Sequence, residues 1–169
     1  MPDTPSILFV CLGNICRSPL AEAAMRAQAQ ARGLVLHVDS AGTGDWHLGC
    51  PPDPRAQAVA ARHGIDIAHL RARQVVAEDF LRFDHVVALD RRNLDDLARI
   101  APARTPTSAP TPTRARLSLL LDHVPGREGQ SVADPYFGDE AGFVRTWAEV
   151  SEGARGLLAL LSREIAAGA

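Results

Sequence analysis

The chain has 169 residues, 46% of them hydrophobic and 22% charged, with a formal net charge of -2. That length supports one domain with a sizeable core, and the near-neutral charge gives no reason to expect a nucleic-acid or membrane partner. Three cysteines are too few for a disulfide framework, the Met-Pro-Asp-Thr-Pro start lacks the basic segment of a secretory signal, and no apolar run reaches spanning length, so a reducing, cytoplasmic setting is expected.

The first element is Ser6-Ile-Leu-Phe-Val-Cys11, whose continuous apolar run at 7–10 reads as a parallel strand covered on both faces. A tight loop, Leu-Gly-Asn-Ile-Cys16-Arg17, follows it. Ser18-Pro19 then reads as a helix entry, with Ser as N-cap and Pro at the first helical position. The helix is expected over 19–32, ended by Gly33, with Leu20, Ala24, Ala27 and Ala31 as a narrow packing stripe and Glu22 in its first turn. Residues 34–39 alternate as a second strand, completing a right-handed βαβ unit.

A turn-rich loop covers 40–53, and Asp53-Pro54-Arg55 opens a helix running to about His63. Residues 78–82 make one helical turn, 83–89 the third strand and 93–100 a helix. Residues 101–113 hold four prolines among Thr and Ser and read as a surface loop, with a tolerated insertion the simplest account. Residues 116–121 are the fourth strand, 125–138 a loop, and 141–166 a long helix, bent near Gly153 or Gly156. That helix turns Phe143, Trp147, Val150, Ala154, Leu157, Leu158 and Leu161 to the core. The alternation predicts an α/β fold of three layers, a four-stranded parallel sheet with helices on both faces, in a single domain spanning 1–169. A ligand then binds beyond the carboxyl ends of the strands, where Cys11 sits.

The residues from Cys11 to Ser18 suit one task, holding a phosphate against a sulfur nucleophile. A loop running into a helix N-terminus aims several N–H groups inward, and the helix dipole adds positive potential. Gly13 and Asn14 are types that tolerate positive φ. Arg17 can fork onto two phosphate oxygens, and the same field favours the Cys11 thiolate. The Ser18 hydroxyl is placed to hydrogen-bond that thiolate. Taken singly, these are a buried Cys, an exposed Arg and an ordinary cap; the strand before, the helix start after and Gly-Asn between make the pattern specific.

Val10-Cys-Leu-Gly-Asn-Ile-Cys-Arg-Ser-Pro19 resembles the signature of the low-molecular-weight protein tyrosine phosphatases. Ser40-Ala-Gly-Thr43, Asp53-Pro-Arg-Ala56, Arg73-Gln74 with Glu78-Asp-Phe80, and Asp134-Pro-Tyr136 continue the likeness across most of the chain. On its own, Asp134-Pro135 is a common turn. The resemblance implies that Asp134 is the general acid, returning as base when water attacks the cysteinyl-phosphate. It implies phosphotyrosine proteins as substrates, no cofactor and no metal. A cognate tyrosine kinase is an expected partner, and a monomer or weak dimer the expected assembly.

The aryl slot is expected from Leu12, Ile15, Trp46, Tyr136 and Phe137. Phe137 stands where the family usually has a second Tyr. Relatives acting on phosphoarginine tend to carry Thr where this chain has Ile15, which favours phosphotyrosine. Asn14 and Ser40 are expected to brace the loop. The family often has a His three residues before Arg73; Leu70 holds that place here, with His69 one earlier, which puts the usual link to Asn14 in question. Asp90 matches a family Asp and is expected to be structural. Cys16 is expected as a resolving thiol that forms a reversible disulfide with Cys11 under peroxide. Cys50 and the six histidines, His47 among them, carry no metal-ligand spacing.

Four other readings are weaker. An arsenate reductase of similar fold would need redox cysteines near the third strand, and 75–95 contain none. A phosphocysteine carrier of a sugar-transport system would not need Asp134. A non-catalytic phosphate-binding module would not need Cys11, Arg17 and Asp134 together. A nucleotide P-loop fails for want of Gly-Lys-Ser/Thr.

Overall fold

The computed structural model describes residues 4–102 and 115–168. Four strands, β1 (Ser6–Cys11), β2 (His37–Gly42), β3 (His85–Ala88) and β4 (Arg116–Leu119), form one parallel sheet in the order β2-β1-β3-β4. The helices are α1 (Arg17–Ala31), α2 (Pro54–Arg62), α3 (Asp79–Arg82), α4 (Arg91–Ile100) and α5 (Glu140–Gly168). Alternate residues of β1 feed two cores. Ile7, Phe9 and Cys11 face α1, α2 and α5, while Leu8 and Val10 face α3 and α4. The expected three-layer α/β fold is present.

Several boundaries differ from expectation. The first helix begins at Arg17, so Ser18 lies inside it and is not the cap; Cys16 takes that place without a side-chain cap bond. The Ser18 hydroxyl is engaged with Cys11 instead. The packing side of α1 is broader than a four-residue stripe. Ala21, Ala23, Met25 and Ala29 are buried, Ala27 is half-buried and Ala31 exposed. The second strand starts three residues later than the alternation suggested. Gly33, at φ 67°, ends α1, and pairing with β1 from Ser6↔His37 to Cys11↔Gly42 then sets the register.

The fourth strand stops at Leu119 and turns into a 3₁₀ segment, Leu120–His123. The Asp122 carboxylate accepts the Leu119 and Gly129 N–H groups at 3.0 and 2.9 Å and closes that turn. The last helix is one continuous element. A Cβ at Gly153 would lie 2.4 Å from the Leu120 side chain, and one at Gly156 only 1.9 Å from the His123 carbonyl oxygen, so these glycines are notches where α5 seats on the turn. The Pro/Thr-rich stretch 101–113 falls, from residue 103 on, outside the described residues.

Candidate active site

The loop after β1 is clamped by its neighbours. Thr43 and Gly44 donate their N–H groups to the Cys11 and Leu12 carbonyls, each at 2.9 Å, and Asp53 N–H donates to the Ile15 carbonyl at 2.8 Å. Gly42 runs beneath the loop, and a Cβ there would sit 2.8 Å from the Leu12 carbonyl oxygen. No larger residue fits without moving backbone. Asn14 is the one non-glycine residue at positive φ (57°) among the described residues, as the tight bend requires.

Asn14 is also the hub of a buried network. Its N–H points at Cys11 Sγ at 3.3 Å. Its amide nitrogen donates to the Ser18 and Ser40 hydroxyls at 2.8 and 3.0 Å, and its amide oxygen accepts the Arg73 N–H at 3.1 Å. Ser40 Oγ donates to Glu22 at 2.8 Å, and Glu22 pairs with Arg26 at 3.0 Å. Burial pushes the Glu22 pKa up, although the Ser40 and Arg26 bonds oppose the shift. Asn14 fills the Ser18 oxygen from one side. The Ser18 hydroxyl also lies 3.0 Å from Cys11 Sγ and 3.4 Å from the Ala41 carbonyl; toward a thiolate, which can only accept, it is the donor. Asn14 is thus tied to Ser18, Ser40 and the Arg73 backbone at once; Leu70 packs against the core and His69 lines a separate cleft beside Glu22.

Arg17 is 2% exposed, a fully buried guanidinium. Nη1 lies 2.6 Å from Asp90 Oδ2 and donates to the Val132 carbonyl at 3.1 Å; Nη2 lies 3.6 Å from Asp134 Oδ2. Burial disfavours the charged form, but the Cys11 sulfur and the Asp90 carboxylate outweigh it and raise the Arg17 pKa. Asp90 also caps α4 by accepting the Asn93 N–H at 2.7 Å. Asp134 sits on the 125–138 loop with its side chain 39% exposed, and its Oδ1 accepts the Tyr136 N–H at 3.1 Å.

These groups open onto a cleft of about 190 Å³ lined by Cys11, Leu12, Gly13, Ile15, Cys16, Arg17, Trp46, His47, Asp134, Tyr136 and Phe137. Leu12, Ile15, Trp46, Tyr136 and Phe137 all line it. Trp46 and Phe137 stand at the lip, 69% and 94% exposed, and Tyr136 meets Phe137 edge-on at 4.9 Å. His47 is an addition. Its ring lies 6.2 Å from that of Tyr136 and close over Gly13, and its place beside Trp46 in a glycine-rich loop was the available signal. Cys16 is a buried free thiol; burial first, then Asp53 and Cys11, push its pKa up. No cluster of metal-ligating side chains occurs among the described residues.

The arrangement is a nucleophile, a fixed cation and a carboxyl around one bowl at a helix N-terminus, a geometry for displacement at phosphorus. Comparison with known proteins agrees with it. A family model described as low molecular weight phosphotyrosine protein phosphatase matches residues 6–167. A low molecular weight protein-tyrosine-phosphatase of Streptomyces coelicolor is 42% identical over 166 residues, covering 96% of each chain. The crystal structure of YfkJ from Bacillus subtilis superposes with a TM-score of 0.84 at 36% identity, covering 96% of this chain and 97% of that one. A protein tyrosine phosphatase structure from Entamoeba histolytica gives 0.85 at 32% identity, covering 95% and 99%.

Proposed function

The chain belongs to the low-molecular-weight phosphotyrosine protein phosphatase family, and on that footing we propose that it hydrolyses phosphotyrosine in proteins, and small aryl phosphates, through a cysteinyl-phosphate intermediate without a metal ion. The observation that carries this reading is the meeting of Cys11, Arg17 and Asp134 in one cleft at the start of α1.

The Cys11 sulfur attacks phosphorus as its anion. The inward N–H groups of residues 12–17 and the Arg17 guanidinium hold the three non-bridging oxygens. The bond from phosphorus to the tyrosine oxygen breaks, and Asp134 delivers its proton to that oxygen. A phenol has a pKa of about 10, so departure unprotonated is unfavourable at neutral pH. Water then attacks the phosphocysteine while the Asp134 carboxylate takes a proton from it. The sulfur–phosphorus bond breaks, and the Ser18 hydroxyl, 3.0 Å from Sγ, steadies the departing thiolate.

Leu12, Ile15, Trp46, Tyr136 and Phe137 give the ring its apolar walls. Under peroxide, oxidation of Cys11 to the sulfenic acid and attack by the Cys16 sulfur would form a disulfide and release water. Free thiols at both positions suit a reducing cytoplasm. Phosphotyrosine proteins made by a tyrosine kinase are the partners, and a monomer or weak dimer suffices because one chain supplies the whole cleft.

Cys11→Ser should abolish turnover of phosphotyrosine while orthophosphate or vanadate still binds. Turnover by that variant would overturn the nucleophile assignment. Metal-free assays of phosphotyrosine, phosphoserine and phosphoarginine peptides side by side test substrate class, with activity on the first expected to dominate.

A further inference from the structure

Arg55 is a charged side chain beside the cleft that the chemistry above leaves unused. Its fork closes on the Asp53 carboxylate, Nε to Oδ1 at 3.0 Å and Nη2 to Oδ2 at 2.9 Å. Its other N–H bonds leave α2 altogether. Nη2 donates to the Tyr136 carbonyl at 2.9 Å and Nη1 to the Gly138 carbonyl at 3.1 Å. The guanidinium lies over the Phe143 ring, 4.5 Å from its centroid, and 5.8 Å from that of Tyr136.

Asp53, the anchor of this clasp, bonds through its own N–H to the Ile15 carbonyl in the phosphate loop at 2.8 Å. A continuous path therefore runs from the phosphate loop through Asp53 and Arg55 to the turn that carries Asp134. The Tyr136 backbone is held on both sides, its N–H by Asp134 Oδ1 and its carbonyl by Arg55. Asp134 itself has a side chain 39% exposed and reaches Arg17 only at 3.6 Å. The backbone on either side of that carboxyl is anchored, before it by Val132, bonded to the Leu89 carbonyl and to Arg17, and after it by the buried Pro135 and the clasp on Tyr136. Helix capping does not explain the two carbonyl contacts, because Asp53 already caps α2 through the Arg55 N–H at 2.8 Å.

We propose that Arg55 is a positioning residue that holds the Asp134-Pro135-Tyr136 turn in register with the phosphate loop, so that the acid meets the leaving oxygen. This rests on the reading of Asp134 as proton donor. A small displacement of a catalytic group is costly, whereas binding of the phosphoryl group, which uses other residues, is unaffected.

The test measures kcat/KM over aryl phosphates from phosphotyrosine to 2,4-dinitrophenyl phosphate, with inhibition by orthophosphate as control. Arg55→Ala should lower kcat/KM for phosphotyrosine by about tenfold and for the dinitrophenyl ester by less than about twofold, with orthophosphate inhibition constant to about twofold. Arg55→Lys, which keeps one donor, should fall between wild type and alanine. In a Asp134→Ala background, Arg55→Ala should add no further loss. A uniform loss across the series in Arg55→Ala, or losses that multiply in the double variant, would overturn the positioning role while leaving Asp134 as the acid. A uniform loss in Asp134→Ala alone would refute the acid assignment and the positioning role with it.

Discussion

Asp90 is the group whose removal should disturb the molecule most sharply. Its carboxylate lies 2.6 Å from the buried Arg17 guanidinium and accepts the Asn93 N–H at the start of α4. Breaking a buried ion pair by deleting one partner costs about 3–5 kcal/mol, because the other charge is left uncompensated. Losing an N-cap adds about 1 kcal/mol. The Asp90 side chain is 22% exposed, and Arg17 keeps the Val132 carbonyl, so the lower end of the ion-pair range applies. Asp90→Ala should then lower unfolding free energy by about 4 kcal/mol. Asp90→Asn keeps the cap and one acceptor and should cost about 2 kcal/mol. Urea denaturation with unchanged m-value reads both. Freed from Asp90, Arg17 swings toward Asp134, so orthophosphate should also bind more weakly. A loss below about 1 kcal/mol in Asp90→Ala, or equal losses in the two variants, would refute the account of Arg17 as a charge held by Asp90.

Three further outcomes are expected. Gly156→Ala should destabilise by about 3 kcal/mol or more, since its Cβ would lie 1.9 Å from the His123 carbonyl oxygen; thermal melting reads it, and the residual folded protein should keep its kcat. Asn14→Ala forces φ 57° on a residue without the amide network, and kcat with an aryl phosphate should fall by about a hundredfold with secondary structure intact by circular dichroism. Buried His85 and half-buried His123 both have pKa values lowered by desolvation; Glu164, Arg116, Asp84 and His123 face His85, and His85, Asp122 and Glu164 face His123. Above about pH 6.5 neither state is protonated and stability is full; as pH falls below that, the unfolded chain binds protons that the folded chain refuses, so stability drops. Urea midpoints from pH 8 to pH 5 should show that fall, and a shallower slope in His123→Gln.

The loop after β1 was readable as a unit because its groups are local: Cys11, Asn14, Arg17 and Ser18 lie within one turn of backbone and one helix start. Even there, propensity misassigned Ser18, whose hydroxyl serves a sulfur rather than a helix end. Asp134 could be singled out only through likeness to other sequences, since Asp-Pro is an ordinary turn and the distance to Arg17 is made by the sheet. Asp90, Glu22, Arg26 and the Val132 carbonyl were unreadable as site groups for the same reason. Asp90 and Val132 meet Arg17, Glu22 meets Ser40 and Arg26 meets the Val38 carbonyl across elements; only the Glu22–Arg26 pair has a short spacing, i to i+4 on α1. The shift of the second strand to His37–Gly42 shows pairing with a neighbour overriding alternation along the chain.

The amide and hydroxyls of Asn14, Ser18 and Ser40 are bonded to one another and onward to Cys11, Glu22 and the Arg73 backbone, so the bowl has its shape before any substrate arrives. If that bowl holds phosphate as proposed, a receptor that stiff takes tetrahedral oxyanions with little regard for what they came from, and the released product fits as well as the reactant's head. On that proposal, discrimination between substrates falls to the lip, where Trp46 and Phe137 stand in solvent, clear of the network that shapes the bowl.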